Sequence, residues 1–143
     1  KYFERTKEVL DNSVVYYIQV GYNFKMNWGE SMNYAIGEIL KDFTKRIEEY
    51  FGESLIKVLL YGSYARGDNK ENSDIDIMIL TTLSDKEITE IENDIYDIAY
   101  DFLMDYGVDI SVIIKNEDIF KYWLGTLPFY NNVEKEGVVL SGK

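Results

Sequence analysis

A glycine–serine pair and two aspartates, close together in the chain, are the residues whose types and spacing could do chemistry. They lie in the segment VLLYGSYARGDNKENSDIDIMIL, residues 58–80. Gly62 and Ser63 follow an apolar run that predicts a buried strand, and ten residues separate them from Asp74. Asp74 and Asp76 alternate with isoleucines, which predicts a second strand with one apolar face and one acidic face. The sequence therefore predicts two carboxylates on one side of a strand that follows a glycine-containing turn.

Each half of this pattern suits one part of a metal–nucleotide complex. Side chains two apart in a strand point to the same face, so the carboxylates of Asp74 and Asp76 lie side by side. Two unpaired anions repel each other, and a hard divalent cation such as Mg²⁺ is the natural group to hold between them. Gly62 lets a phosphate approach the backbone, and the Ser63 hydroxyl and the following N–H groups can donate to its oxygens. A helix that begins here would add its positive end.

The same segment resembles the signature of the nucleotidyltransferase superfamily related to DNA polymerase β. The matching residues are Gly62-Ser63, Tyr64-Ala65-Arg66-Gly67 and Ser73-Asp74-Ile75-Asp76. Within that superfamily the chain is most similar to the minimal nucleotidyltransferases. The signature covers only residues 62–76, but the order of elements around it matches from about residue 32 to residue 140. The resemblance implies a polymerase β-like fold of the α/β (α+β) class, with a small mixed sheet and helices packed against it.

The resemblance also implies a reaction in which a hydroxyl group attacks the α-phosphate of a nucleoside triphosphate and pyrophosphate leaves. Asp74 and Asp76 would bridge two Mg²⁺ ions. The family completes its metal site with a third carboxylate on a later strand, and Asp109, in the alternating segment 108–112, is the candidate. Asp109 would hold the ion beside the acceptor and could take its proton.

The remaining site residues would bind the triphosphate. By the same resemblance, Gly62 and Ser63 would cradle the β- and γ-phosphates, and Arg66 is a candidate to neutralise charge near them. An alternative for Arg66 is a structural salt bridge to a carboxylate such as Asp68 or Glu71.

The resemblance points to an acceptor as well. Chains similar to this one typically accompany a small helical HEPN-type toxin, a ribonuclease, and act as its antitoxin by transferring AMP from ATP to a tyrosine of the toxin. Two alternatives stay open: an antitoxin that only binds its toxin, and an enzyme that modifies a small molecule of the aminoglycoside type. A homo-oligomer is also compatible with the sequence.

The composition excludes several other classes of enzyme. The 143 residues suffice for one domain, and they include no cysteine and no histidine. Serine–histidine hydrolysis, cysteine–histidine dyads and the usual zinc enzymes are therefore excluded, and a general base must be a carboxylate, a lysine, a tyrosine or a metal-bound water. The lack of cysteine, of a long apolar segment and of a secretory signal predicts a cytoplasmic protein that does not enter a membrane.

The net charge of −11 bears on the partner. Residues 84–105 alone carry eight acids and one lysine. A protein that follows a polynucleotide backbone needs lysine and arginine along its groove, so we expect no stable binding of nucleic acid. An acidic flank instead favours a basic protein or a small cationic acceptor.

Periodicity places these residues on elements. Apolar spacing predicts a helix over residues 32–51, and the Ser84 capping box predicts a helix that stops before Gly107. Strands are predicted at 57–61, 73–80 and 108–114, with a short helix after Ser63. Asn116 should cap a brief helix that buries Ile119, Phe120, Trp123 and Leu124, and residues 133–140 should form a helical turn and a short strand.

The first thirty-one residues do not belong to this pattern. We therefore divide the chain into an N-terminal extension, residues 1–31, and a nucleotidyltransferase domain, residues 32–143. Residues 1–10 could be helical, and residues 14–20 suggest a strand or a buried helical turn. The extension is rich in aromatic residues, which suits packing across the domain, a homodimer contact or docking of a partner.

Overall fold

The computed structural model describes the backbone of residues 5–10, 13–19, 23–27 and 32–142, and the side chains of residues 36–142. The elements follow in the order β1 (Arg5–Leu10), β2 (Ser13–Gln19), β3 (Asn23–Asn27), α1 (Met32–Phe51), a 3₁₀ turn (Gly52–Ser54), β4 (Leu55–Tyr61), α2 (Gly62–Arg66), β5 (Ile75–Thr81), α3 (Asp85–Tyr106), β6 (Ile110–Asn116), α4 (Glu117–Trp123), α5 (Pro128–Glu136) and β7 (Val138–Gly142).

The four strands β4 to β7 form the sheet that carries the predicted site. Their order across the sheet is β6-β5-β4-β7. β4 is antiparallel to β5 and to β7, whereas β5 and β6 are parallel. A parallel pair needs a crossover connection, and α3 provides it. The result is the small mixed α/β sheet that the sequence predicts.

Alternation along the strands gives this sheet two different faces. Ile75, Ile77 and Ile79 are fully buried in the core that contains the apolar sides of α1 and α3. Met78 and Leu80 point the other way and pack with residues of α4 and α5. Since side chains alternate, Asp76 belongs to this second face.

The helix ends confirm the predictions made from capping residues. The Ser84 side chain accepts a hydrogen bond from the Glu87 N–H at 3.2 Å, and the Glu87 carboxylate accepts one from the Ser84 N–H at 2.8 Å. α3 ends at Gly107, which adopts a left-handed conformation with φ of 67°. At the start of α4, Asn116 accepts hydrogen bonds from two backbone N–H groups, as predicted.

Two details of the second face differ from the prediction. Ile119 is exposed rather than buried. Phe120 is the buried residue of α4, and Trp123 and Leu124 are half-buried against the same cluster. The predicted helical turn near Val133 is part of a nine-residue helix, α5, which begins at a proline that suits a first helical turn.

The N-terminal segment is built from strands. β1, β2 and β3 form an antiparallel sheet of their own. A helix over residues 1–10 is therefore wrong for Arg5–Leu10, while residues 1–4 lie outside the described part. Of the two options for residues 14–20, the strand is confirmed up to Gln19. The division at residue 31 stays a prediction, and the aromatic side chains of the extension lie outside the described residues.

No helix within the described ranges combines the length and the apolar character that crossing a membrane requires.

Candidate active site

The turn after β4 brings the glycine–serine pair directly against one of the two aspartates. β4 ends at Tyr61, which pairs across the sheet with Asp76 of β5. Gly62 then adopts φ of +72°, a left-handed conformation that favours glycine. A Cβ atom at Gly62 would overlap the Asp76 carboxylate and lie only 3.1 Å from its Cγ. Only a residue without a side chain allows this approach.

Asp74 and Asp76 lie at the start of the strand, not both within it. β5 begins at Ile75, so Asp74 is the residue just ahead of the strand, where the side chain is exposed. Asp76 is half-buried. Burial raises the pKa of the Asp76 carboxyl above its ordinary value, the negative charge of Asp74 raises it further, and the positive charge of Arg66 acts in the opposite direction. The charge of Asp74 therefore disfavours ionisation of Asp76, and a joint role of the two as metal ligands stays a prediction.

Asp109 occupies the equivalent place on the neighbouring strand. β6 begins at Ile110, two residues later than predicted, and Ile110 pairs with Ile75 in parallel register. The Ile75 N–H donates to the Asp109 carbonyl oxygen at 2.9 Å. Asp109 thus lies beside Asp74 in register, and its side chain is exposed.

The donor set fits a hard cation at Asp74 and Asp76. Both offer carboxylate oxygens, which are the ligands that Mg²⁺ prefers, and the repulsion between them is what a cation would relieve. Among residues 36–142, however, no three Asp, Glu, His or Cys side chains come together as a ready metal-binding group. Asp109 is close in register, but its role as a third ligand stays a prediction.

Arg66 is engaged in two ion pairs. Its guanidinium donates to Asp68 at 3.1 Å and to Glu136 of α5 at 3.0 Å. Asp68 is one of the two partners that the sequence suggests for a structural salt bridge. The sequence does not predict Glu136, because no local pattern links two residues seventy positions apart. The pair joins α2 to α5, and a role for Arg66 near the phosphates stays a prediction.

Two tyrosines flank the carboxylates. Burial, and then the charge of Asp76, raises the pKa of Tyr61 to about 12. Burial, and then the charge of Asp74, raises the pKa of Tyr64 as well. Both phenols are therefore neutral at pH 7 and are not ready to take a proton. A carboxylate, a lysine or a metal-bound water is left as the general base.

Ser63 is the second residue of the short helix α2, which begins at Gly62. The five residues of α2 confirm the predicted helix, but it is too short to contribute the dipole of a long helix. Its contribution is local: the N–H groups of its first turn have no partners within the helix. Ser63 is half-buried beside Gly62, at the same end of the sheet as Asp76.

The chain is similar to known proteins of one family. The family described as "Nucleotidyltransferase domain" matches residues 40–140. The chain is 34% identical over 102 residues to "Putative protein adenylyltransferase MJ0604" of Methanocaldococcus jannaschii, a match that covers 71% of this chain and 93% of the relative. It is 37% identical over 105 residues to the similarly named MJ0141 of the same organism, with 71% and 94% covered. A crystal structure of a toxin–antitoxin with AMP-PNP aligns with a TM-score of 0.48 at 20% identity, over 71% of this chain and 73% of that one.

We predict that Gly62→Ala abolishes binding of Mg-ATP, because the added methyl group must displace the Asp76 carboxylate. Gly52→Ala is the matched control, since Gly52 also has a positive φ, +55°, but has nothing within 4 Å of a Cβ atom. Each variant should lose about 1–2 kcal/mol of unfolding free energy from the left-handed conformation. Calorimetric titration with Mg-ATP should separate them. Equal affinity of the two variants for Mg-ATP would show that the Gly62–Asp76 approach is not needed for binding.

Proposed function

Because the chain belongs to the nucleotidyltransferase domain family, we propose that it transfers AMP from ATP, with Mg²⁺, to a hydroxyl group of a protein. The family model covers residues 40–140, and the two relatives are matched over nearly their whole length. Both carry the name of protein adenylyltransferases. Their names support AMP as the transferred group and a protein as the acceptor.

One contact supports the chemistry most directly: the approach of Gly62 to the carboxylate of Asp76. The turn offers N–H groups to phosphate oxygens, and the carboxylate offers oxygens to a cation. No side chain lies between the two. A metal-bound triphosphate requires that proximity, because the cation bridges phosphate oxygens to the protein.

The proposed roles follow from the position of each side chain. Asp74 and Asp76 would hold Mg²⁺, which would neutralise charge on the α-phosphate and on the leaving pyrophosphate. Ser63 and the N–H groups at the start of α2 would donate to the β- and γ-phosphate oxygens. The acceptor oxygen forms a bond to the α-phosphorus, the bond from that phosphorus to the pyrophosphate oxygen breaks, and the acceptor proton is released.

Asp109 is the proposed acceptor of that proton. It is exposed, lies beside Asp74 in register and is farther from the glycine turn than Asp76 is. Tyr61 and Tyr64 remain protonated at neutral pH, so neither competes for this role. We assign Asp109 to the acceptor side of the site, as a ligand and general base.

The acidic helix α3 favours a basic protein as the acceptor. Glu87 belongs to the helix cap, and Asp94 and Asp101 are engaged by Tyr50 and Arg46. Other acids of the helix, such as Glu90 and Asp97, are exposed and extend a negative surface along it. Such a surface steers a positively charged partner and repels nucleic acid. A tyrosine of a HEPN-type toxin, the acceptor implied by the family resemblance, is the specific proposal, with the chain acting as antitoxin in the cytoplasm.

We predict that Mg-ATP raises the melting temperature of the wild-type protein and that Asp76→Asn removes the effect. A ligand that binds only the folded state stabilises it by about 2.7 kcal/mol at one hundred times its Kd. Asp118→Asn is the matched control, since Asp118 is an exposed acid of α4, the helix that follows the opposite end of β6. An unchanged melting curve of the wild type with millimolar Mg-ATP would contradict a working nucleotide site.

We predict that Asp109→Asn leaves Mg-ATP binding nearly intact and slows transfer by about 10²–10⁴-fold, the usual contribution of a positioned base. Transfer is measured in single turnovers with ATP labelled in the α-phosphate and a purified HEPN-type protein as the acceptor. Label should appear on a tyrosine as pyrophosphate is released, and Asp74→Asn should abolish the labelling.

A stable complex without label from any of the four triphosphates would indicate the binding-only antitoxin. Label on an aminoglycoside and not on protein would indicate the small-molecule enzyme, and normal transfer by Asp109→Asn would remove Asp109 from the reaction.

A further inference from the structure

An exposed phenylalanine at the start of α5 stands beside the candidate site. Phe129 is 41% exposed, although its side chain has no polar group for water to bind. One edge contact holds it on Tyr61, with ring centroids 5.8 Å apart and planes at 85°. A second holds it on Tyr130, at 5.6 Å and 81°. Tyr130 is buried and packs in turn on Phe120, so the exposed ring is anchored in the core of this face.

The ring lies on the same face of the sheet as the proposed metal ligand. Tyr61 is opposite Asp76 in the antiparallel pair of β4 and β5, and opposite residues project from the same face with Cβ atoms about 5 Å apart. Tyr61 is also the residue immediately before Gly62. Phe129 therefore contacts the residue that lies opposite the carboxylate and directly before the glycine–serine turn.

A second contact holds α5 in this position from its other end. Glu136, in the last turn of α5, pairs with Arg66 of α2 at 3.0 Å. Phe129, in the first turn, packs on Tyr61 at the end of β4. α5 is thus fastened at both ends to the segment that contains the glycine–serine turn, and the placement of the Phe129 ring beside the site does not depend on a single contact.

We propose that the exposed ring of Phe129, supported by Tyr61, is the surface on which the nucleobase of the bound triphosphate stacks. This inference rests on the proposed function, because it takes the triphosphate to lie on the Gly62–Ser63 turn. A base attached through ribose to the α-phosphate then extends away from the turn, and Phe129 contacts Tyr61, the residue that directly precedes that turn. Stacking needs only the π-face of a base, so the ring accepts any nucleobase and favours purines, whose stacking area is larger.

Binding of Mg-ATP, Mg-CTP and Mg-tripolyphosphate by calorimetric titration tests this proposal, because tripolyphosphate has phosphates but no base. Loss of an aromatic partner of a base typically weakens binding by about 5- to 150-fold. Phe129→Ala should therefore weaken Mg-ATP on the order of 10-fold or more, reduce the preference for ATP over CTP, and leave Mg-tripolyphosphate unchanged. Phe129→Tyr should retain ATP affinity. Tyr122→Ala is the control, since Tyr122 is a 72% exposed ring of α4 that packs on Trp123.

The outcomes separate this inference from the proposed function. If the wild type binds Mg-ATP and Phe129→Ala binds it equally well, stacking on Phe129 is overturned while the nucleotide site stands. If Phe129→Ala weakens ATP and tripolyphosphate to the same degree, the ring supports the turn and not the base, and the inference is again overturned. If the wild type binds neither ligand, both fail. Phe129→Leu replaces Phe129→Ala if the latter does not fold, since leucine keeps the apolar contact with Tyr61 and lacks the ring.

Discussion

The close approach of the Gly62 backbone to the Asp76 carboxylate is the constraint on which the rest of the site depends. It requires that β4 end at the residue opposite Asp76, that the next residue adopt a positive φ, and that no side chain occupy the space between turn and strand. The buried strands satisfy the first condition by locking the register of the β4–β5 pair, because a slip by one residue would turn Asp76 into the apolar core. Glycine satisfies the other two.

One face of the sheet contributes most of the buried core, and the other face carries the candidate site. The face beneath α1 and α3 buries the isoleucines of β5 completely and fixes the strand positions. The opposite face is covered by α4 and α5 only in part, so that Met78 and Leu80 are buried while Asp76 is half-buried. This arrangement keeps the carboxylate on a rigid strand and still open to a ligand. Partial cover also raises the pKa of Asp76, because burial and the negative charge of Asp74 both disfavour the ionised form of the Asp76 carboxyl.

Local patterns of the sequence predict the elements and the motif, but not the contacts between distant segments. The helix over residues 32–51, the capping box at Ser84 and the glycine–serine turn each depend on neighbouring residues, and the structure contains them as predicted. The pairing of Arg66 with Glu136 and the packing of Phe129 on Tyr61 join segments about seventy residues apart, and no periodicity encodes them. The strand at residues 5–10 shows the limit of a local pattern, since RTKEVL has no strict alternation and pairs with β2.

A crystal structure with Mn²⁺ in place of Mg²⁺ and a non-hydrolysable ATP analogue tests the central claim most directly, because Mn²⁺ is located by its anomalous scattering. We expect an ion held by Asp74 and Asp76, with the triphosphate on the Gly62–Ser63 turn. An analogue bound elsewhere on the protein, or a turn occupied by phosphate while no Mn²⁺ lies at Asp74 and Asp76, would contradict the account.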